Sequence, residues 1–345
     1  MLDRFFKDIG IDLGTANSVV YLRNKGILID EPTVVAINNK TNQILAVGDE
    51  AKKMLGRTPA HISVIRPLIG GVISDFDMTQ ELIRQFLKRL SSRSLFSFRR
   101  AILAIPDNLT EVERKSVEDA VLNSGCAKVY LIESPIAAAL GANLPIHLPA
   151  ASLIVDIGGG TTDIAVISMG GIVVSRTLKV AGDRFNEDIQ NFIREEFKLA
   201  VGEPTAEFAK IAVGSVLPGH EKLEIIVRGR DFRSGLPGEV LIKDSHVRLA
   251  ISRSVDTIIE AIKEVIEETP PELVGDMIKQ GIYLCGGGAM LRGLSQLVAK
   301  ETAVETRIVE NPLSCVARGL GQIVDGFHYN QKFLDNPLKP ITINL

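Results

Sequence analysis

Two stretches decide the fold: Ile11-Asp12-Leu13-Gly14-Thr15-Ala16-Asn17-Ser18-Val19-Val20 and Val155-Asp156-Ile157-Gly158-Gly159-Gly160-Thr161-Thr162-Asp163-Ile164. In each, an apolar strand ends at an aspartate, glycine and small or hydroxyl residues follow, and a second strand begins. The pattern predicts a hairpin that aims backbone N–H groups at an anion. Glycine tolerates positive φ and has no Cβ to block close approach. Thr15, Thr161 and Thr162 add hydroxyl donors. Asp12 and Asp156 are suited to hold Mg²⁺ through its waters, because Mg²⁺ prefers oxygen ligands and dehydrates reluctantly. A plain hairpin with a glycine turn accounts for either stretch alone; the recurrence of the same pattern points to phosphate binding. Neither stretch is a Walker loop or a dinucleotide fingerprint, since a strand rather than a helix follows each turn.

A third cluster, Leu284-Cys285-Gly286-Gly287-Gly288-Ala289-Met290, follows an apolar strand (Gly281 to Leu284) and precedes a helix expected over Leu294 to Lys300. Bare backbone there lets a base or ribose lie close, and a helix N-terminus favours an anion. In isolation it reads as a tight strand-to-helix connection; as the third piece of a set it reads as a nucleotide contact.

The remaining chain fits a two-domain α/β protein. At 345 residues it exceeds one ordinary core. Strand-like runs alternate with helical ones such as Met78 to Leu90, where Asp77 or Thr79 is expected to cap the start, and Thr110 to Asn123. A loose stretch at 146–152 marks a boundary, after which the opening pattern returns. The net charge of −3 argues against bulk nucleic-acid binding. Cys126, Cys285 and Cys315 have no metal-ligand spacing, and an odd count suits a reducing cytoplasm. No apolar run reaches the length of a membrane span, and the N-terminus lacks the long apolar stretch of a signal peptide.

In order and spacing, the three clusters resemble those of the actin, sugar-kinase and heat-shock-chaperone ATPase superfamily. Two connecting helices fit as well, around Glu133-Ser134-Pro135-Ile136-Ala137-Ala138-Ala139-Leu140-Gly141 and Cys315-Val316-Ala317-Arg318-Gly319-Leu320-Gly321. Within the superfamily the chain is most similar to the MreB family of bacterial actins, from about Ile9 to about Val324. The distinctive matches include Glu31-Pro32-Thr33-Val34-Val35-Ala36, Gly70-Gly71-Val72-Ile73-Ser74-Asp75-Phe76, Arg228-Gly229-Arg230-Asp231 and Gly235-Leu236-Pro237.

That resemblance implies an actin-like, duplicated ribonuclease H-like fold with four subdomains around an ATP cleft. Domain I would comprise 1–148 and 312–345, with subdomain IB inserted at about 33–75. Domain II would comprise 149–311, with IIB inserted at about 182–245. Thr15, Ala16 and Asn17 would hold the terminal phosphates from one side and Gly159, Gly160 and Thr161 from the other. Glu207 and Lys210 would contact the ribose or base region, with Gly287, Gly288, Ala289 and Met290 on the remaining wall. Without the resemblance, Glu207 and Lys210 read as a solvated helix face. The resemblance also implies an ATPase cycle, self-assembly into filaments built of paired protofilaments, and work with the cell-wall elongation machinery at the inner face of the cell membrane.

One position departs from the family. MreB sequences usually read Glu-Glu-Pro where this chain reads Glu133-Ser134-Pro135, so Ser134 replaces the glutamate that positions the attacking water. A hydroxyl can hold a water but cannot act as a carboxylate base at neutral pH, so ATP hydrolysis is expected to be slow. Serine before proline is also expected to cap the following helix. Asp163 stands where many MreB chains carry glutamate and is suited to orient Mg²⁺-bound water.

Leu95, Phe96 and Phe98 lie among Arg93, Arg99 and Arg100 in an expected loop. Leu95 and Phe96 read as a membrane-insertion tip whose arginines meet anionic headgroups; Phe98 is the best candidate to tuck into the core instead. Met1, Leu2, Phe5 and Phe6 offer a second short anchor, with avidity supplied by many copies. Two other readings compete with the filament: a kinase of the same superfamily, and a monomeric scaffold ATPase.

Overall fold

The computed structural model describes residues 7–90, 98–219 and 222–334. Leu95, Phe96 and the N-terminal Met1, Leu2, Phe5 and Phe6 lie outside the described residues. The chain divides into two compact units. One comprises residues up to Lys53, Pro59–His147 and from Ser314 on; the other comprises Met54–Thr58 and Leu148–Leu313.

The first unit opens with an antiparallel meander: β1 (Asp8–Leu13), β2 (Asn17–Leu22) and β3 (Gly26–Pro32). A small sheet follows, of β4 (Val35–Asn38), β5 (Gln43–Val47) and β6 (Ile62–Ile65), with α1 (Asp49–Met54) between the last two. The two-residue strands β7 (Leu68–Ile69) and β8 (Val72–Ile73) form a hairpin before α2 (Phe76–Leu90). Then β9 (Arg100–Ile105), α3 (Glu111–Asn123) and β10 (Val129–Glu133) add two parallel strands beside β1, giving the order β10-β9-β1-β2-β3. After α4 (Ser134–Gly141) the chain enters the second unit, and it returns for α10 (Cys315–Asp325) and α11 (Phe327–Asn330).

The second unit repeats the scheme. Its meander is β11 (Ser152–Ile157), β12 (Thr162–Ser168) and β13 (Gly171–Leu178). Next come α5 (Gly182–Phe197), β14 (Leu199–Ala200), α6 (Glu203–Val213), β15 (Glu224–Asp231), β16 (Pro237–Lys243), α7 (Asp244–Glu268) and α8 (Pro271–Gln280). The parallel strands β17 (Ile282–Cys285) and β18 (Thr306–Ile308), with α9 (Leu294–Thr302) between them, complete the order β13-β12-β11-β17-β18. Read outward from the first strand of each meander, the two sheets have one topology. The strands β9 and β11 are apolar almost throughout, as burial on both faces requires. One core gathers Ile11, Leu103, Phe86 and Val117; the other gathers Val155, Val166, Phe185 and Ile258.

Local chemistry sets the helix starts. Thr110 caps α3 in a reciprocal capping box with Glu113. The start of α2 differs from expectation. It begins at Phe76, and Asp75 caps it, accepting from Met78 N at 3.0 Å through its carboxylate; Thr79 instead donates to Asp75 O and is buried. Phe98 is buried, as its sequence context suggested, with the Lys7 ammonium over its ring.

In the first unit α4 and α10 cross backbone against backbone. A Cβ on Gly319 would lie 1.8 Å from Ala137 O, and one on Gly141 would lie 1.9 Å from Cys315 O. The Cys315 thiol donates to Ala138 O at 3.1 Å across the same crossing. Interiors packed at crystal density have no room for such a methyl. Gly275, within α8, has open space at the same position. Gly319→Ala is therefore expected to cost at least about 1–3 kcal/mol, the usual range for overpacking. Gly275→Ala should gain about 0.5–1 kcal/mol from helix propensity. Urea denaturation of both variants measures the contrast; equal stabilities would contradict the described crossing.

Candidate functional site

In both units the candidate residues collect where parallel strands end, the place where open α/β sheets bind ligands. In the first unit Asp12 is the penultimate residue of β1, opposite Val19 on β2 and in register with Ala104 on β9. The turn Gly14-Thr15-Ala16 then reverses the chain, and protein groups that no motif advertises brace it. The buried Thr33 donates its hydroxyl to Gly14 O (2.6 Å) and its N–H to Ala16 O (2.9 Å), while its oxygen lies 2.8 Å from the Ser18 hydroxyl. Thr15 Oγ1 accepts from Gly71 N at 3.0 Å, tying the turn to the β7–β8 hairpin and leaving the hydroxyl proton free to donate. Asn17 donates from Nδ2 to Asp30 at 3.2 Å.

Glu133 and Ser134 stand at the same end of this sheet. Glu133 is in register with Ile105 on β9, one position beyond the residue that faces Asp12, so two strand spacings, about 10 Å, separate it from β1. The expectation that Ser134 caps α4 is corrected. The N-cap is Glu133, with extended backbone; Ser134 is already the first helical residue, and no side-chain cap bond forms. The fixed φ of Pro135 suits the first helical turn and starts the helix without a cap.

The second turn is braced differently. Asp156 faces Asp163 directly across β11 and β12 and is in register with Cys285 on β17. Asp163 is buried. Thr161 donates to its Oδ2 at 3.1 Å, and Thr177, its neighbour on β13, donates to its Oδ1 at 2.6 Å. Directly opposed like charges are unfavourable, and hydroxyl donors on Asp163 offset part of that cost. Thr162 is no ligand donor: its hydroxyl is buried and donates to Val180 O at 2.7 Å. The turn seats on the start of α5, where Gly182 N and Asp183 N donate to Gly158 O and Gly159 O. Lys210 donates from Nζ to Gly182 O at 2.8 Å, and a Cβ on Gly182 would lie 3.3 Å from that Nζ and 3.5 Å from Gly159 Cα. The Lys210 ammonium thus sits beside the second turn. Glu207, three residues earlier on α6, shares its helix face and is half-buried.

The third cluster also lies against β11. A Cβ on Gly286 would meet Asp156 Oδ1 and Ile157 O, both at 2.4 Å, and one on Gly288 would meet Ile157 Cγ2 at 2.2 Å. Protein packing alone demands glycine at these two positions. The segment Gly287–Met290 forms a single 3-10 turn, separated from α9 by three residues. Ala289 is wholly buried, so only its backbone can meet a ligand, whereas Gly287 and Met290 are exposed.

Electrostatics favour a cation near the first turn. Burial, with the charge of Asp30 as the smaller cause, pushes the Asp12 carboxyl up to about 7. Among the described residues no three His, Cys, Asp or Glu side chains converge to ligate a metal directly. Mg²⁺ held through its waters needs only one or two carboxylates, and Asp12 and Asp156, each taken in its own unit, are of the kind that suits it.

Two α/β units of one topology, each with an aspartate and a tight turn at the carboxyl ends of its strands, define an actin-like fold. The chain belongs to the MreB/Mbl family: the model for "MreB/Mbl protein" matches residues 6–332. It is 48% identical to the cell shape-determining protein Mbl of Bacillus subtilis (strain 168) over 321 residues, 93% of this chain and 96% of that one. It is 41% identical to the cell shape-determining protein MreB of Escherichia coli (strain K12) over 326 residues, 93% and 94% of the two chains. Among solved structures it is similar to MreB5 of Spiroplasma citri bound to ADP, with a TM-score of 0.91 and 38% identity over 95% of this chain and 98% of that one. The MamK double helical filament shares the fold at 23% identity and a TM-score of 0.79, over 92% of this chain and 98% of that one.

The raised Asp12 pKa carries a stability cost. Between the ordinary carboxylate value and about 7 the folded chain holds a proton that the unfolded chain releases, so stability falls as pH rises through that window and levels off above it. Asp12→Asn is expected to stabilise the nucleotide-free protein, by a margin growing from pH 4 to pH 7 and reaching at most about 4 kcal/mol. Thermal denaturation across that range tests it; a margin that does not change with pH would contradict the assignment.

Proposed function

We propose that this chain binds ATP with Mg²⁺ through its two aspartate-bearing turns and assembles into membrane-associated filaments that govern cell shape and the placement of cell-wall synthesis. The observation that carries the reading is the repetition of one arrangement, in which Asp12 and Asp156 each end a central strand just before a turn that offers backbone N–H groups. Thr15, Ala16 and Asn17 hold phosphate oxygens from the first turn, and Gly159, Gly160 and Thr161 from the second. Glu207, Lys210, Gly287, Gly288 and Met290, with the backbone of Ala289, supply the adenosine contacts. Asp12 and Asp156 act on Mg²⁺ through its waters.

Related proteins support this reading. The MreB5 structures are described as bound to ADP and to AMPPNP. Mbl and MreB are named for determining cell shape. One chain is far smaller than a cell, so influence over cell shape requires assembly of many copies. Among the described residues no helix is long and apolar enough to cross a membrane. Attachment would therefore rest on surface contacts of the kind offered by Leu95 and Phe96, multiplied along a filament. Cell-wall elongation proteins are the partners such filaments would position, at the inner face of the membrane.

Hydrolysis is slow in this proposal, because Ser134 cannot act as the carboxylate that orients and deprotonates water. Electron microscopy after adding ATP and Mg²⁺ should show filaments; their absence across salt and lipid conditions would favour a kinase or a monomeric scaffold. In the same preparations Ser134→Glu should speed phosphate release by about 10²-fold, the lower end of what a positioned acid or base supplies. An unchanged rate would contradict the role given to this position.

A further inference from the structure

The small sheet of the second unit, in the order β14-β15-β16, leaves β16 as an edge. Two hydrogen bonds fix which way its main chain faces. Asp231 N donates to Leu236 O at the hairpin tip, and Asp244 N donates to Leu223 O at the far end, each at 2.9 Å. With the uninterrupted register between them, Gly238, Val240 and Ile242 turn their main-chain groups toward β15. Glu239 and Leu241 therefore present theirs to the open edge. The edge is bounded at both ends: Pro237 has no N–H, and Lys243 N donates to His246 Nδ1 at 3.3 Å.

Side chains on this edge follow a pattern with a two-fold meaning. Glu239, Leu241 and Lys243 are all exposed on one face; Leu241 lies opposite the exposed Ile226, and Glu239 accepts from Arg228, opposite it on β15, at 3.2 Å, so a Lys243 of a second copy would add to that row of alternating charges. A second β16 laid antiparallel about Leu241 sets Leu241 against its counterpart, and Glu239 against Lys243 of the second copy, twice. The two Leu241 residues exchange N–H···O bonds, while at the ends the Lys243 main chain is already engaged by the start of α7. Shifting the register by two residues either way opposes Glu239 or Lys243 to Leu241 and loses both charge pairs, and shifting it by four opposes Glu239 to Glu239 or Lys243 to Lys243, which cross-strand charge disfavours. A one-residue slip puts the facing side chains on opposite faces. Only the register centred on Leu241 satisfies both charge and pleat.

We propose that the open edge of β16 is a contact surface for a second copy of this chain, joined by two-fold antiparallel strand pairing centred on Leu241. The joint sheet has six strands, with Ile226, Leu241 and their counterparts in one apolar row. Edge strands often carry lysine or proline to prevent pairing. Here the opposite charges at two residues either side of a leucine direct the pairing into one register. Self-pairing of this kind is isologous and closes on itself, so it joins copies in pairs and is separate from whatever contact extends a filament. It deepens the self-association proposed above by naming a surface, and it requires no nucleotide.

Cross-linking of the full chain without nucleotide tests the contact. The three native cysteines are buried, so Leu241→Cys introduces the reactive thiol. Directly opposed hydrogen-bonded residues have Cα atoms about 5.5 Å apart, within disulfide reach. Mild oxidation should give a covalent dimer. Adding Lys243→Glu should cut its yield about fivefold or more, since each cross-strand pair then changes from attraction to repulsion, and adding Glu239→Lys as well should restore it. No dimer, or a yield indifferent to charge sign, overturns the proposal. Electron microscopy of the unmodified protein with ATP and Mg²⁺ separates the two ideas. Filaments without the cross-link refute this contact and leave the filament reading standing; the cross-link without filaments does the reverse.

Discussion

A carboxylate at the end of a central strand, only partly open to water, is the constraint on which the rest of this structure depends. Asp12 and Asp156 occupy equivalent places in two sheets of one topology. An ionised group there is costly unless something positive approaches it. The raised pKa of Asp12 expresses that cost, with Asp30 adding to it. The fold follows each aspartate at once with a turn of small residues. Strand order, hairpin length and the glycines of the third cluster all keep that strand end uncrowded.

The two turns are not copies in detail. Hydroxyls and main chain of the same unit brace the first, so that Thr15 is tied to Gly71 and Thr33 grips Gly14 and Ala16. The second rests on the N-terminus of α5 and on Lys210. Its aspartate faces another, Asp163, which two threonines hold as an acceptor. The position equivalent to Asp163 in the first sheet is Val19. The second turn therefore carries the greater density of ionisable groups.

Much of this was legible in the sequence, and the parts that were not have physical reasons. Apolar runs mark the central strands, because both faces of those strands are buried and the signal is continuous. The strands β7, β8 and β14 are not legible in the sequence because two residues carry no period. The Asp75 cap of α2 is masked by Asp77 and Thr79, which lie nearer the apolar face. The roles of Thr33, Thr177 and Gly182 could not be read, since each acts through contacts between segments distant in sequence. At Thr162 and Gly288 the motif also serves packing: the Thr162 hydroxyl is spent on Val180 O, and the missing Cβ of Gly288 makes room for Ile157. Glu207 and Lys210 came from family likeness alone, and the structure adds a position for Lys210 beside the second turn.

In the proposed function Asp156 acts on the magnesium that accompanies bound nucleotide. Equilibrium titration of the full chain with a fluorescent ATP analogue, with and without Mg²⁺, measures this most directly when repeated on Asp156→Asn. The account predicts that Mg²⁺ tightens binding to the unsubstituted chain and that Asp156→Asn removes most of that gain while leaving the metal-free affinity nearly unchanged. Binding that is equally tight with and without Mg²⁺, or a magnesium gain that survives Asp156→Asn intact, would contradict it.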